Sequence, residues 1–326
     1  MIMTKPLVIL THTLPDEWIT SLHTECEVVA GPQDATQFDP KLTQYLPRAE
    51  GLFTLLTIPV NEDLLSQAPQ LRVVSNMAVG VDNIDLPACT RRRIPVGNTP
   101  GVLTHSTADL TMALMLSIAR NLPLASLDAR EGRWKTWSPA GWLGIELHGS
   151  TLGIIGMGKI GQAVAQRALG FGMQVIFSDP EPKQVINTTQ SSLDELFQRS
   201  DFISLHAPLT PDTRGMINHI TLSRMKPSAV LINAARGSLV DMAALTEALR
   251  HHKIAAAALD VTDPEPLPPS HPLFSLPNCL IVPHIGSATY QTRRKMAELA
   301  CANLLAGLKG EPLPHCVNPE VNIPEG

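Results

Sequence analysis

From residue 7 onward, short apolar runs alternate with segments whose apolar residues recur every three or four positions. Leu7–Thr11 reads as a short buried strand, and Cys26–Ala30, Gly51–Leu56, Leu71–Ser75 and Ile94–Val96 read as further strands. Asp16–His23, Pro40–Leu46 and Asn61–Gln67 read as helices between them, with Asn61 as a cap. A long helix follows from Val102 to about Asn121. It is apolar on most faces, which predicts a buried place between domains or between subunits. From Ser126 to Gly149 the pattern loosens. Alternation then resumes with strands at Thr151–Ile155, Met173–Phe177, Asp201–Leu205, Ala229–Asn233, Ile254–Leu259 and Leu280–Val282. The intervening helices run from Gly158 to a C-cap at Gly170, from a capping box at Ser192, over Thr221–Met225, over Met242–His251 behind Asp241, and from Thr289 to Leu308.

This order predicts an α/β protein with parallel sheets covered by helices on both faces. A length of 326 residues suits two domains. Residues 104–284 are expected to form one complete doubly wound domain, and residues 1–103 with 285–326 a second, flavodoxin-like one. Both are doubly wound and Rossmann-like, and two chain crossings predict a cleft with a hinge.

Composition narrows the function. A net charge of −5 gives no basic footprint, so nucleic acid is not an expected partner. No apolar run approaches a membrane span, and the N-terminus lacks the apolar core of a signal peptide. Five scattered cysteines without a C-x-x-C fit a reduced, cytoplasmic chain with no metal site. Arg91-Arg92-Arg93 reads as a solvated run. Trp134, Trp137 and Trp142, three of the four tryptophans, fall in the loosened segment. They fit either an arm or subunit contact, or a local mini-core.

The sharpest motif is Gly156-Met157-Gly158-Lys159-Ile160-Gly161, a G-x-G-x-x-G between a strand and a helix. Gly156 permits the turn, Gly158 lets a pyrophosphate approach the backbone, and Gly161 lets the helix lie against the strand. The helix N-terminus offers N–H groups to the phosphates. Asp179 ends the next strand, 18 residues beyond Gly161. An acid there accepts from the ribose hydroxyls and repels a 2′-phosphate, and Glu181 adds a second carboxylate. NAD(H) is therefore favoured, with NADP(H) as the alternative.

Later strand ends project polar groups toward the same carboxyl edge: His206-Ala207-Pro208, Ala234-Ala235-Arg236, Asp260 and His284 with Gly286. Arg236 suits a bidentate grip on a carboxylate, or is a surface arginine. Glu265 can hydrogen-bond the His284 imidazole, making a pair that gives or takes a proton beside a nicotinamide. Separately, these residues read equally as a structural histidine and a solvated loop acid. The loop Asn76–Asp85, with Gly80 beyond a strand end, is either a carboxylate-binding turn or an ordinary connection.

Arg236, Glu265 and His284, in this order after the glycine motif, resemble the D-2-hydroxyacid dehydrogenases. Asn76–Asp85, Asn98–Thr104, Ala108-Asp109, Ile154–Ala165, Asn233–Asp241, Ala258–Pro266 and Pro283–Thr289 are similar to its glyoxylate/hydroxypyruvate reductase branch. The resemblance spans nearly the whole chain. It implies catalysis by Arg236, Glu265 and His284, and a homodimer built on the cofactor domains. It implies that Val79 and Gly80 bind the substrate carboxylate beside Leu55, that Thr107 touches the cofactor phosphates, and that Asp260 meets the nicotinamide carboxamide. It also implies that Trp142 reaches into the pocket of a second subunit. The expected reaction is NADH-dependent reduction of small 2-oxo acids, glyoxylate and hydroxypyruvate, to D-2-hydroxy acids. The alternatives are a dehydrogenase of a bulkier acid such as phosphoglycerate, or a non-catalytic NAD(H)-sensing corepressor-like protein. Formate dehydrogenases carry glutamine where Glu265 stands. Two departures stand out. Ala255–Ala258 replaces the family's frequent glycines and predicts tighter packing, and the arginine that many NADPH-using members place after the second strand is Asp179-Pro180-Glu181 here.

Overall fold

The computed structural model describes residues 5–322 of the protein. The chain divides into two compact units, one from the residues up to Leu103 with those from Thr289 onward, the other Thr104–Ala288.

The first unit holds β1 (Leu7–Leu10), β2 (Glu27–Ala30), β3 (Gly51–Thr54), β4 (Val73–Asn76) and β5 (Val96–Gly97). They pair in parallel in the order β2-β1-β3-β4-β5, the flavodoxin-like order. Every residue of β1, β3 and β4 is buried, which is why these strands read as unbroken apolar runs. The helix Tyr290–Lys309, capped by Thr289, returns to pack on β3 and β4. Two asparagines then fasten the tail. Asn303 donates to Asn98 O and accepts from His315 N–H. Buried Asn318 accepts from Val96 N–H and donates to Ile94 O and Thr90 Oγ1.

The second unit holds β6 (Thr151–Ile155), β7 (Gln174–Ser178), β8 (Thr188–Gln190), β9 (Phe202–Leu205), β10 (Val230–Asn233), β11 (Ala256–Leu259) and β12 (Cys279–Ile281). All pairs are parallel, in the order β12-β11-β10-β9-β6-β7-β8, a dinucleotide-binding sheet whose order reverses between β6 and β9. Alternate residues feed opposite layers. Ile203, Leu205, Leu231 and Leu259 enter one core, while Phe202, Val230, Ile232 and Ala258 enter the other. The second core is roofed by the helix Thr104–Ala119, packed on the helix Lys159–Gly170 and on β10 and β11. The helix is buried in the core of its own unit, which corrects the expectation of a place between domains or between subunits.

Several boundaries differ from expectation. The apolar helix ends at Ala119, because Asn121 takes a positive φ of 53° and Pro123 follows; a second helix, Leu122–Arg130, leaves at 63°. That helix has no buried residue and β8 almost none, so neither carries an apolar signature. The helix after the glycine turn runs through Gly170 and caps at Phe171. Ser192 accepts from Glu195 N–H, but the Glu195 carboxylate pairs with Arg199, so the cap is one-sided. The second unit continues to Ala288, four residues past the expected crossing, because Asp260 holds Ile285 and Gly286 by their N–H groups. Trp134 and Trp137 are 71% and 79% exposed, so they do not form a mini-core. Among the described residues no single helix is long and apolar enough to cross a membrane.

Asn318→Ala strands the Val96 N–H of β5 and the Ile94 carbonyl just before it, and is expected to cost about 2 kcal/mol. Urea unfolding followed by circular dichroism checks this; an unchanged midpoint would show that other contacts hold the tail.

Candidate active site

The glycine turn lies where the sheet order reverses. Gly156 has a φ of 93°, and a Cβ there would come within 2.6 Å of Ala207 N and 2.7 Å of His206 O. The ends of β6 and β9 therefore meet backbone to backbone. A Cβ at Gly161 would sit 2.2 Å from Gly156 O, so the helix lies directly on the turn. Gly158 faces open space, and no side chain caps the helix that begins at Lys159. Uncapped first-turn N–H groups beside an open glycine fit a dinucleotide pyrophosphate. Gly158, Lys159, Ile160 and Gly161 would hold it. Met157 departs from expectation: its side chain is fully buried and its N–H donates to Asp179 Oδ2 at 2.8 Å, so that N–H is not free for phosphate.

Asp179 is more enclosed than its sequence neighbours imply. Its carboxylate accepts from Met157 N–H, from Glu181 N–H at 3.1 Å and from Lys183 Nζ at 2.8 Å. Burial alone would raise its pKa, but these bonds outweigh that and hold it below the ordinary carboxylate range. Glu181 points to water, 81% exposed. The expectation of two unopposed carboxylates is therefore corrected: Lys183 Nζ lies 2.8 Å from Asp179 and 3.9 Å from the solvated Glu181. Lys183 was missed: residues 179–183 are not helical, so its spacing from Asp179 carried no contact signal.

His206 does not project its ring as a free donor. Nε2 lies 2.8 Å from Ser204 Oγ, and burial pushes its pKa down to about 4. Its main chain supports Gly156. Ala207 is buried and Pro208 exposed beyond it.

The remaining strand ends form one connected set. After β10, Asn233 ties the loop by accepting from Ala235 N–H and donating to Arg236 O, and Arg236 Nη1 donates to Ala235 O. Gly237 approaches Thr262 so closely that a Cβ would lie 1.9 Å from its carbonyl oxygen. Thr262 N–H donates to Glu265 Oε2 at 3.3 Å, and Glu265 Oε1 lies 2.5 Å from His284 Nδ1. Arg236, Glu265 and His284 thus share one corner of the second unit. Both ring and carboxylate remain about one-third exposed, at 28% and 35%.

His284 has a φ of 51°, a left-handed backbone that few non-glycine residues adopt. Asp260 holds it there. Its buried carboxylate accepts from Ile285 N–H at 2.6 Å and Gly286 N–H at 2.8 Å, while its carbonyl accepts from His284 N–H. Burial raises the Asp260 pKa, with the two N–H bonds opposing. Thr107 Oγ1 lies 3.4 Å from Gly286 O, so this hydroxyl stands at the Asp260 latch.

In the first unit, three successive carbonyls of the loop after β4 are engaged. Ala78 O accepts from Thr99 N–H, Val79 O from Asn98 Nδ2 at 2.8 Å, and Gly80 O from Asn76 Nδ2 at 2.9 Å. A trans peptide directs its N–H opposite its carbonyl. The Val79, Gly80 and Val81 N–H groups are thereby turned away from these partners, as an anion-binding turn requires. Asn76 was not singled out from sequence, and Asn98 only within a motif. Leu55 ends the neighbouring strand's loop half-buried. Trp142 is 48% exposed, at a φ of 55°.

Residues 112–286 match the family described as D-isomer specific 2-hydroxyacid dehydrogenase, NAD binding domain. The chain belongs to the D-2-hydroxyacid dehydrogenase family. Within it, the chain is 42% identical to the glyoxylate reductase of Korarchaeum cryptofilum over 322 residues, 97% of each chain. A solved protein of Thermus thermophilus superposes with a TM-score of 0.89 at 47% identity, covering 95% of this chain and 99% of that one. The NADPH-dependent glyoxylate/hydroxypyruvate reductase of Sinorhizobium meliloti, solved with NADP and malonate, gives 0.84 at 32% identity, covering 96% and 97%. These relatives place the D-2-hydroxyacid dehydrogenase in the glyoxylate/hydroxypyruvate reductase branch and make it an NAD(P)-dependent oxidoreductase.

Two outcomes test this geometry. Asp260→Ala frees the His284 segment, and is expected to lower turnover about a hundredfold; steady-state kinetics at full activity would remove the latch. His206 supplies a pH dependence. The unfolded ring titrates near 6.5 and the folded ring near 4, so its contribution is complete above pH 6.5 and lost as pH falls through 4. Denaturation midpoints between pH 7 and 4.5 should fall more steeply in the native protein than in His206→Gln.

Proposed function

We propose that this D-2-hydroxyacid dehydrogenase reduces small 2-oxo acids, glyoxylate and hydroxypyruvate, to D-2-hydroxy acids with NADH as the favoured cofactor. The observation that carries the reading is the 2.5 Å Glu265–His284 pair on a segment latched by Asp260. Its curated relatives, glyoxylate reductases along nearly the full chain, support the substrate class.

A dinucleotide held by Gly158, Lys159, Ile160 and Gly161 would, when bound, supply the hydride that the carbonyl carbon requires. Everything else falls to the protein. In the second unit the Arg236 guanidinium is the group that grips the acid; in the first, the Val79 and Gly80 N–H groups, with Leu55, are the candidate carboxylate binders. Glu265 occupies Nδ1 of His284, which leaves Nε2 to give its proton to the oxygen as negative charge grows there. The Glu265 carboxylate stabilises the imidazolium before transfer and sets which nitrogen bears the mobile proton. In the reverse direction the same Nε2 removes the hydroxyl proton.

The exposed Trp134, Trp137, Trp142 and Leu143 support a homodimer in which this arm is covered. All five cysteines are free, which supports work in a reducing compartment such as the cytoplasm.

Parallel assays of NADH and NADPH oxidation with glyoxylate, hydroxypyruvate and pyruvate test the reading. NADH consumption with the first two is expected. His284→Ala should lower kcat by about a hundredfold or more while NADH affinity holds. Binding of NADH without turnover of any 2-oxo acid would favour a sensor over an enzyme.

A further inference from the structure

We propose that Lys183 sets how far this enzyme discriminates against NADPH, as the cation that a 2′-phosphate meets at the end of β7. The inference rests on the reading that the glycine turn holds a dinucleotide. At this place in a dinucleotide-binding sheet, an acid accepts from the ribose hydroxyls and repels phosphate, and a nearby cation does the reverse. This protein has both in contact.

The ammonium is built into place. Gln190, at the end of β8, accepts from Lys183 N–H at 3.0 Å through Oε1. Its Nε2 donates to Asp179 O at 3.0 Å and Glu181 O at 3.1 Å. One side chain thereby staples both ends of the loop and returns Lys183 onto Asp179. The Asp179 side chain is only 8% exposed, against 26% for Lys183, so the pair is not a solvated surface contact. Asp179 is in turn bonded to Met157 N–H, within the glycine turn, which fixes the ammonium's place relative to that turn.

The charge balance follows. Asp179 and Glu181 alone would present two negative charges to a 2′-phosphate; Lys183 reduces this to one. An ammonium has three donors and no fixed fork, so it can bond a phosphate oxygen while keeping Asp179. Discrimination against NADPH is therefore weaker than the carboxylates dictate, and Lys183 is the residue that weakens it. A 2′-hydroxyl, which bonds the carboxylate itself, gains little from the lysine.

Direct binding tests this without turnover. The intact protein is titrated with NADH, NADPH, 5′-AMP and 2′,5′-ADP, by tryptophan fluorescence for the dinucleotides and calorimetry for the fragments. In Lys183→Gln, the Kd for NADPH and 2′,5′-ADP should rise about tenfold or more, while those for NADH and 5′-AMP move less than roughly threefold. Lys183→Arg should keep the native ratio. Equal weakening of all four ligands would make Lys183 a loop-ordering residue and overturn the proposal, as would an unchanged NADPH to NADH ratio. If the unaltered protein binds neither dinucleotide, the reading beneath the proposal fails with it.

Discussion

Every paired strand in both sheets runs parallel, and this constraint organises the chemistry. A parallel sheet sends all carboxyl ends to one edge, and each connection must cross back to the start of the next strand, mostly through helices here. In the second unit that edge collects the glycine turn, Asp179, His206, Arg236, Asp260 and His284 from six strands. In the first unit it collects Leu55 and the Val79–Gly80 loop. Where the order reverses, between β6 and β9, helices leave to opposite faces and the backbone is open to a ligand. Gly156 is the residue on which this depends, since a Cβ would meet the β9 end.

Hydrogen-bonded asparagines and carboxylates then convert position into aim. Asp260 spends both oxygens on the N–H groups after His284, and Asn76 and Asn98 hold carbonyls so that N–H groups face outward. None of these side chains is a reacting group. Each fixes a backbone direction, which a rotamer change elsewhere cannot easily undo.

Much of this was legible in sequence because buried parallel strands are unbroken apolar runs with turn residues at their ends. The strands from Leu7 to Leu280 and the caps Asn61 and Asp241 were readable for that reason. The helix Leu122–Arg130 and β8 were not, because they bury almost nothing and leave no periodic signal. The Arg236, Glu265 and His284 constellation was visible as order along the chain, but its contact was not: Glu265 reaches His284 through Thr262 and the close approach of Gly237, which no spacing reveals. Charge was the least legible property. Asp179-Pro180-Glu181 reads as acidic, yet a side chain on β8 folds Lys183 back onto it.

The first unit is completed by the last part of the chain. The helix Tyr290–Lys309 covers β3 and β4, and Asn318 supplies partners to β5. On a ribosome the five strands of that sheet emerge first, and their covering helix emerges only after the whole second unit has been made. The order of completion therefore reverses the order of initiation: the domain begun first is finished last. Until then one apolar sheet face waits uncovered, which makes the nascent first unit, not the cofactor-binding unit, the natural client of a chaperone.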